Sequence, residues 1–577
     1  MNRNVESHFS KLPSAEIQRS VFDRSSGHKT SFNVGDLIPF YVDEVLPGDT
    51  FNITTSKVVR SQTMLTPIMD NIYLDTYYFF VPNRLVWKHW KEFCGENTGG
   101  AWAPTVEYTI PSIAAPTGGF ASGTLADYMG LPVGVNWSAS DELSPSALPF
   151  RAYALICNEF FRDENLSDPL NIPMDDANQA GSNGSNYISD VANGGKPFRA
   201  AKYHDYFTSA LPAPQKGEAV GIPINVPGFA GGTFRVEPGA TDWFANEGTA
   251  YPMLTYMTTY GQALNMNDLK LLNLNKEDKG MMTDDNGVGY RFAKTAITTP
   301  AKNILPANLK VTIPPADNAT GTEVSFSVNE LRLAFAYQRY LESLARNGSR
   351  YTELLLGLFG VKSPDARLQR PEYLGGNRIP ISISEVTNSA QSEQDFLGDV
   401  GAKSNTSDVN HDFVKSFTEH GYVIGVMVAR YDHSYSQGLE KFWSRKTFTD
   451  FYNPKFAHLG EVPIYQCEIF TDGKNLNKNN VFGYQEIWAD YRFKPSRISG
   501  EMRPGVANTL AQWHLSDNYS SAPTLSDGWI REDTANVDRV LAVTSAAANQ
   551  FWADIYIHNK CTRCMPMYSV PGLIDHF

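Results

Sequence analysis

Ile72-Tyr73-Leu74-Asp75-Thr76-Tyr77-Tyr78-Phe79-Phe80-Val81 is a run of β-branched and aromatic residues with bulk on both alternating faces. Ile72, Leu74, Tyr78 and Phe80 fall on one side of a strand, and Tyr73, Tyr77 and Phe79 on the other. Such a strand needs apolar cover above and below, which puts it inside a layered β structure. Two similar runs precede it, residues 34–46 and 51–60. Between them Leu46-Pro47-Gly48-Asp49 suits a type II turn, with Pro fixing φ at the second position and Gly supplying positive φ at the third. The spacing predicts a hairpin of these two strands. Three strands with open apolar faces are marginal alone. Strand patterns return at residues 379–386, 421–431, 462–470, 482–493 and 549–558, so eight strands are split by one very long insertion. The pattern predicts an all-β core, an eight-stranded antiparallel jelly-roll β-sandwich with long loop and helical insertions.

The composition agrees with a loop-rich β protein: 12% aromatic residues, 34 Pro and 44 Gly in 577 residues. Charged residues make up only 19%, so much of the surface must be neutral or covered by partners. Residues 1–14 have no apolar centre and no run of about eighteen apolar residues occurs, which predicts a soluble chain made in the cytoplasm. Five scattered cysteines argue for reduced thiols rather than a disulfide framework. A net charge of −13 excludes a protein that coats nucleic acid with its whole surface. The first thirty residues differ: Arg3, Lys11, Arg19, Arg24 and Lys29 oppose only Glu6, Glu16 and Asp23. Residues 1–33 therefore read as a mildly basic arm.

Residues 34–81 hold the first strands, 82–378 the long insertion, 379–558 the remaining strands and 559–577 a tail. Inside the insertion, Pro149 followed by an apolar stripe predicts a helix over 149–166. The capping box Ser327-Val328-Asn329-Glu330 opens another, over about 328–344, and a third covers 350–359. Residues 387–416 are polar and read as a surface loop. Residues 439–458 are rich in Trp, Phe and Tyr.

No motif nominates a catalytic site, a cofactor or a metal. Cys561-Thr562-Arg563-Cys564 with His558 has the spacing to seed a zinc site, but no second Cys pair follows, so two reduced thiols are expected. Gly27-His28-Lys29-Thr30 lacks the rest of a phosphate-binding loop. His204-Asp205 has no nucleophile in a supporting motif and reads as a structural hydrogen bond. The alternative class is a β-sandwich glycan-acting enzyme or a carbohydrate-binding module, which needs two facing carboxylates that no pattern supplies.

Four stretches resemble the major capsid protein of the microviruses, small phages with single-stranded DNA, and most closely their gokushovirus branch. They are Leu148-Pro149-Phe150-Arg151-Ala152-Tyr153 running into Asn158-Glu159-Phe160-Phe161-Arg162-Asp163; Tyr206-Phe207-Thr208-Ser209-Ala210-Leu211-Pro212; Pro214-Gln215-Lys216-Gly217; and the long, oddly composed Ser363-Pro364-Asp365-Ala366-Arg367-Leu368-Gln369-Arg370-Pro371-Glu372-Tyr373-Leu374-Gly375-Gly376. The resemblance implies a structural protein of the virion, assembled in the bacterial cytoplasm from sixty copies into an icosahedral T=1 shell around circular single-stranded DNA. It implies further partners: a small basic DNA-packaging protein, an internal scaffolding protein, a minor pilot protein and a host cell-surface receptor. It implies that the variable residues 229–317 form a protrusion at each threefold axis. Trp243, Phe244, Tyr251, Met253 and Tyr256 are then candidates for protrusion packing or host contact, and the arm cations Arg3, Lys11, Arg19, Arg24 and Lys29 for facing DNA inside. Arg367 and Arg370 are expected as buried or interfacial forks pairing with carboxylates such as Glu372. The helices over 149–166 and 328–344 are expected to bury against neighbouring subunits.

Overall fold

The computed structural model describes residues 18–97, 99, 106–138, 143–217, 235–238, 281–283, 289–291, 309–312, 328–348, 350–389, 398, 400–472 and 480–568. Two compact units divide the chain, residues 1–219 with 337–577 and residues 220–336. In the smaller unit two short antiparallel pairs are described, Arg235–Pro238 with Leu309–Thr312 and Met281–Thr283 with Gly289–Arg291.

The larger unit is built on eight strands: β1 Ser26–Phe32, β2 Ile38–Val45, β3 Thr50–Ser61, β4 Ile72–Pro82, β5 Glu372–Pro380, β6 Thr406–Ser416, β7 Gly421–Tyr431 and β8 Phe551–Arg563. They form two antiparallel sheets. The first has the order β1–β8–β3–β6, with a short strand Ser20–Asp23 also paired to β8; the second has the order β5–β4–β7–β2. One buried core draws from both. Phe51, Ile53 and Val59 of β3 and Phe551, Ile555 and Ile557 of β8 join Ile72, Leu74, Tyr78 and Phe80 of β4 and Val423 and Met427 of β7. Each fully buried side chain of this size contributes roughly 1.5–3 kcal/mol. A polar tie crosses the same space, where Tyr78 and Thr55 share a hydroxyl hydrogen bond of 2.7 Å, and within the first sheet buried Lys57 pairs with Asp408 of β6 at 2.9 Å.

The alternation read in residues 72–81 holds. Ile72, Leu74, Tyr78 and Phe80 enter the shared core, while Phe79 enters a second buried cluster on the other face, with Tyr77 packed against it. That cluster is covered by helix α1, Leu148–Ile156, which brings Leu148, Phe150, Tyr153 and Ile156 onto Ile424, Val426 and Val428 of β7. Proline at its first turn starts the helix.

The expected hairpin of the first two strands does not form. β2 lies beside β7 and β3 beside β8, in different sheets. The turn itself is as read: Gly48 has φ +89° and the Asp49 amide donates to the Leu46 carbonyl over 3.0 Å. It carries the chain across the core instead of back along one sheet. What holds it there is the parallel crossing between β6 and β7. Gly48 donates to the Phe417 carbonyl and the Phe417 amide donates to the Asp49 carbonyl, both over 2.8 Å. Arg563 of β8 then clamps the Asp49 carboxylate at 3.0 Å.

Two expected strands also move. Residues 462–470 and 482–493 give only Glu461–Tyr465 paired with Val481–Glu486, around a third cluster that contains Ile464, Phe482, Tyr206 and Phe207. Residues 466–469 and 489–492 turn helical. Their places in the first sheet are taken by β1, read as part of the arm, and β6, read as a loop. Both are flanking strands of a sheet with one face open to solvent, so only half their side chains need be apolar or buried, and their sequences look polar. Residues 379–386 split between the end of β5 and Ile383–Thr387, which pairs with Val400–Ser404.

Candidate functional site

The described cations of the arm are partly engaged. Arg24 is held by Asp43 at 2.6 Å, and Lys29 on β1 meets Asp554 on β8 at 3.2 Å with both side chains exposed. Arg19 is exposed, with its guanidinium beside Gly48. Arg3 and Lys11 lie outside the described residues, as do Trp243, Phe244, Tyr251, Met253 and Tyr256.

In the long specific stretch, Arg370 pairs with Asp365 at 3.3 Å, donates to the Thr352 hydroxyl over 3.0 Å and lies 4.1 Å over the Phe160 ring. Glu372 instead pairs with Lys415 of β6 at 3.0 Å, and Arg367 is exposed. The expected pairing of these arginines with Glu372 is replaced because Glu372 starts a strand whose neighbour across the core edge is β6.

His558 and Cys561 do not converge. Three positions apart on β8, they point to opposite faces, the histidine to solvent and the thiol into the core. His204 and Asp205 do not act as a pair either. Asp205 accepts the Phe207 and Thr208 amides at 2.8 Å and the Tyr435 hydroxyl at 2.6 Å, which fixes a turn, while His204 is exposed.

Two buried charge clusters brace the larger unit, and neither has a local motif. The carboxylate of Asp75 on β4 receives Arg378 of β5 at 2.7 Å, Arg430 of β7 at 2.5 Å and the Tyr203 hydroxyl at 2.8 Å. Both guanidiniums lie over the Tyr203 ring, 4.3 and 4.4 Å from its centre. Burial pushes the Asp75 carboxyl up, and the two arginines outweigh it, so the group sits below the usual carboxylate range. This cluster ties three adjacent strands to the long insertion.

The second cluster follows the end of β7. His433 has one ring nitrogen 2.8 Å from Asp517 and the other 3.0 Å from Glu532. Both nitrogens face carboxylates, so both carry protons. Burial alone lowers the imidazolium, but the charges of Glu532 and Asp517 outweigh it and raise the group to about 9. Lys202 and Asn536 also reach Asp517. A hint was present in the sequence, since a His two residues past an apolar strand in a chain poor in charge needs a partner; its partners, 84 and 99 positions away, were not readable.

Apolar side chains left in solvent cluster on two helices. α2, Val328–Asn347, exposes Tyr337 and Tyr340; α3, Tyr351–Phe359, exposes Tyr351, Leu356 and Phe359, the last 74% accessible. A row of apolar side chains on consecutive helices is more than a monomer leaves wet. α1 is the reverse case. Expected to bury against a neighbour, it is spent inside its own chain, its Arg151 fully buried and donating to Gln179 at 3.0 Å and to the Asp175 carbonyl at 3.0 Å. Its apolar stripe is the second face that β4 required.

Among the described residues, a sheet-based unit that leaves apolar helix faces in solvent has surface suited to assembly. A family model described as "Capsid protein (F protein)" matches residues 10–573. The chain belongs to this capsid protein family. Its relatives include the capsid protein VP1 of Chlamydia phage 1, 40% identical over 99% of this chain and 98% of the relative. Those of Spiroplasma virus 4 (40% identical; 95% and 94%) and Bdellovibrio phage phiMH2K (37% identical; 100% and 99%) are similar. As a member of the F-type capsid family, the chain is a major capsid protein of the microvirus kind, a structural component of the virion and not an enzyme. The buried charge clusters then brace a capsid subunit.

Proposed function

We propose that this chain closes in sixty copies into a T=1 icosahedral shell around circular single-stranded DNA, with the eight strands wired as a jelly-roll sandwich. The observation that carries the reading is the alternation of the strands between two sheets that share one core. β1, β3, β6 and β8 form one and β2, β4, β5 and β7 the other, with the two crossings at Gly48 and Phe417 bonded to each other. That wiring makes a rigid wall with insertions at its ends. Tyr337, Tyr351, Leu356 and Phe359 supply apolar surface for copy-to-copy contact, each contact weak and the closed shell stable through their number.

Of the arm cations, Arg3, Lys11 and Arg19 are the ones we assign to neutralising phosphate without reading bases, which suits a genome of any sequence. The acidic net charge leaves most neutralisation to a small basic packaging protein. An internal scaffolding protein and a minor pilot protein complete the proposed partners. Trp243, Phe244, Tyr251, Met253 and Tyr256 pack the threefold protrusion, which presents a surface to a host receptor. Expression of the full chain, followed by sedimentation and electron microscopy, tests the reading. Closed particles of uniform diameter support it, and monomers under every assembly condition refute it.

A further inference from the structure

Beside the strand pair Glu461–Tyr465 and Val481–Glu486, a cleft of about 560 Å³ opens between residues 435–445 and 490–503. It takes in the start of the aromatic-rich segment that the capsid reading leaves without a role. Buried Tyr206, Phe207 and Tyr435 form one wall, with the Phe207 and Tyr435 rings 4.8 Å apart. The rim is aromatic and wet: Phe442, Trp443, Tyr491 and Phe493 are all exposed, Trp443 by 66%. Phe442 and Trp443 pack on each other, 4.6 Å apart at 36°, and Trp443 is the more exposed of the two.

Cations interleave with these rings. Arg445 lies 4.2 Å over Tyr491, and Lys494 5.0 Å over Phe442. With Lys441, Arg497 and Arg503 they make five positive groups, against the carboxylates of Glu440, Glu468 and Asp490. Five minus three leaves an excess of two positive charges, in a chain whose net charge is −13. Asp490 holds Arg445, and Glu440 serves both Lys494 and Arg497. Arg503 spends one donor on the Ser436 carbonyl at 2.6 Å; among the described residues neither it nor Lys441 has a carboxylate at ion-pair distance. Glu468 is buried and accepts the Tyr206 hydroxyl at 3.0 Å; burial pushes its carboxyl up and the charge of Lys441 opposes that.

Flat unsaturated faces beside an excess of cations over carboxylates fit a ligand that is planar in one part and anionic in another. We propose that this cleft binds nucleotides of a single-stranded polynucleotide, with bases stacked on Trp443, which Phe442 backs, and on Phe493, and phosphates at Lys441, Arg497 and Arg503. Among the described residues no Asn or Gln lines the cleft, and the side chains that do line it offer ring faces and cations to a base rather than the bidentate amides that read adenine. Binding is therefore tolerant of sequence. The proposal rests on the capsid reading for the presence of such a strand, and on the cleft alone for where it binds.

The test uses the purified full-length chain and a short fluorescent oligothymidylate followed by anisotropy. Trp443→Ala and Phe442→Ala are each expected to weaken binding about tenfold. Lys441→Gln and Arg503→Gln are expected to weaken it and to lower the slope of log affinity against log salt by about 0.7 per lost phosphate contact. Arg497→Gln, at an exposed side chain, gives the same salt signature where folding is not at risk. An abasic backbone of equal length should bind at least about tenfold more weakly. Equal binding of the abasic strand, or unaltered binding by both aromatic variants, overturns the proposal and leaves only non-specific charge attraction. Electron micrographs of the same preparations separate the two claims: particles without oligothymidylate binding sink the cleft alone, whereas a wild-type chain that never forms particles sinks the shell reading whatever the cleft binds.

Discussion

His433 and Asp517 meet at 2.8 Å in a place from which water is almost wholly excluded, the histidine side chain being 1% accessible. The imidazolium gains its stability from the fold, because its value of about 9 in the native chain exceeds that of a free histidine, near 6.5. A raised value contributes stability that is complete below the unfolded value and is lost as pH climbs through the folded one. Between pH 6.5 and 9.5 the loss should be on the order of 3 kcal/mol. A thermal unfolding midpoint that falls over this window in the wild type and stays flatter in His433→Gln would bear this out. Asp517, held low by its partners against its burial, acts at the other end: its contribution is present above the ordinary carboxylate range and fades in strong acid.

Asp75 is the single carboxylate on which Arg378 and Arg430 both converge. Asp75→Asn keeps the shape and removes the charge, leaving a buried arginine uncompensated. Denaturant unfolding should show a loss of about 3–5 kcal/mol, more than a surface pair of the same length would give. Arg378→Gln, at a half-exposed partner, should cost less than Arg430→Gln.

The exposed helices give an assembly variant that spares the subunit. Phe359→Ser with Tyr351→Ser should leave monomer stability within about 0.5 kcal/mol of wild type. Particle yield, measured by sedimentation, should fall severalfold. Unchanged yield would show that α3 faces solvent in the shell too.

Arg3, Lys11 and Arg19 changed together to Gln should lower the DNA content of purified particles, read from the ratio of absorbance at the nucleic-acid and protein maxima, while leaving shell yield intact. Adding Arg24→Gln should also lower stability, because that residue answers Asp43. Deleting residues 241–290 separates the two roles of the protrusion. Particles that form but no longer attach to the host indicate receptor contact, and failure to form particles indicates packing.

What could be read from the sequence followed what is local. The two faces of residues 72–81, the extent of β7 and the turn at Gly48 are set by alternation and by residues a few positions apart. The hairpin error arose because a turn specifies its own backbone and not which sheet receives the next strand; that is decided by Phe417, far along the chain. β1 and β6 were missed because a strand with one open face needs few apolar residues, so Lys29, Asn410 and His411 masked it. The buried clusters at Asp75 and His433 join residues hundreds or scores of positions apart, and no spacing rule reaches that far. The aromatic segment near Trp443 was visible as composition, but three of the five cations that give it chemistry, Lys494, Arg497 and Arg503, lie on a separate stretch.

β8 sits between β1 and β3, so a strand translated after the other seven fills the middle of the first sheet. Until it arrives, β3 has an unpaired edge, half the shared core has no floor, and Asp49 lacks Arg563. A chain interrupted anywhere before Phe551 therefore cannot present a finished wall to its neighbours. In the proposed shell the order of synthesis then acts as a check on completeness, since a subunit cut short before β8 lacks the strand that joins β1 to β3.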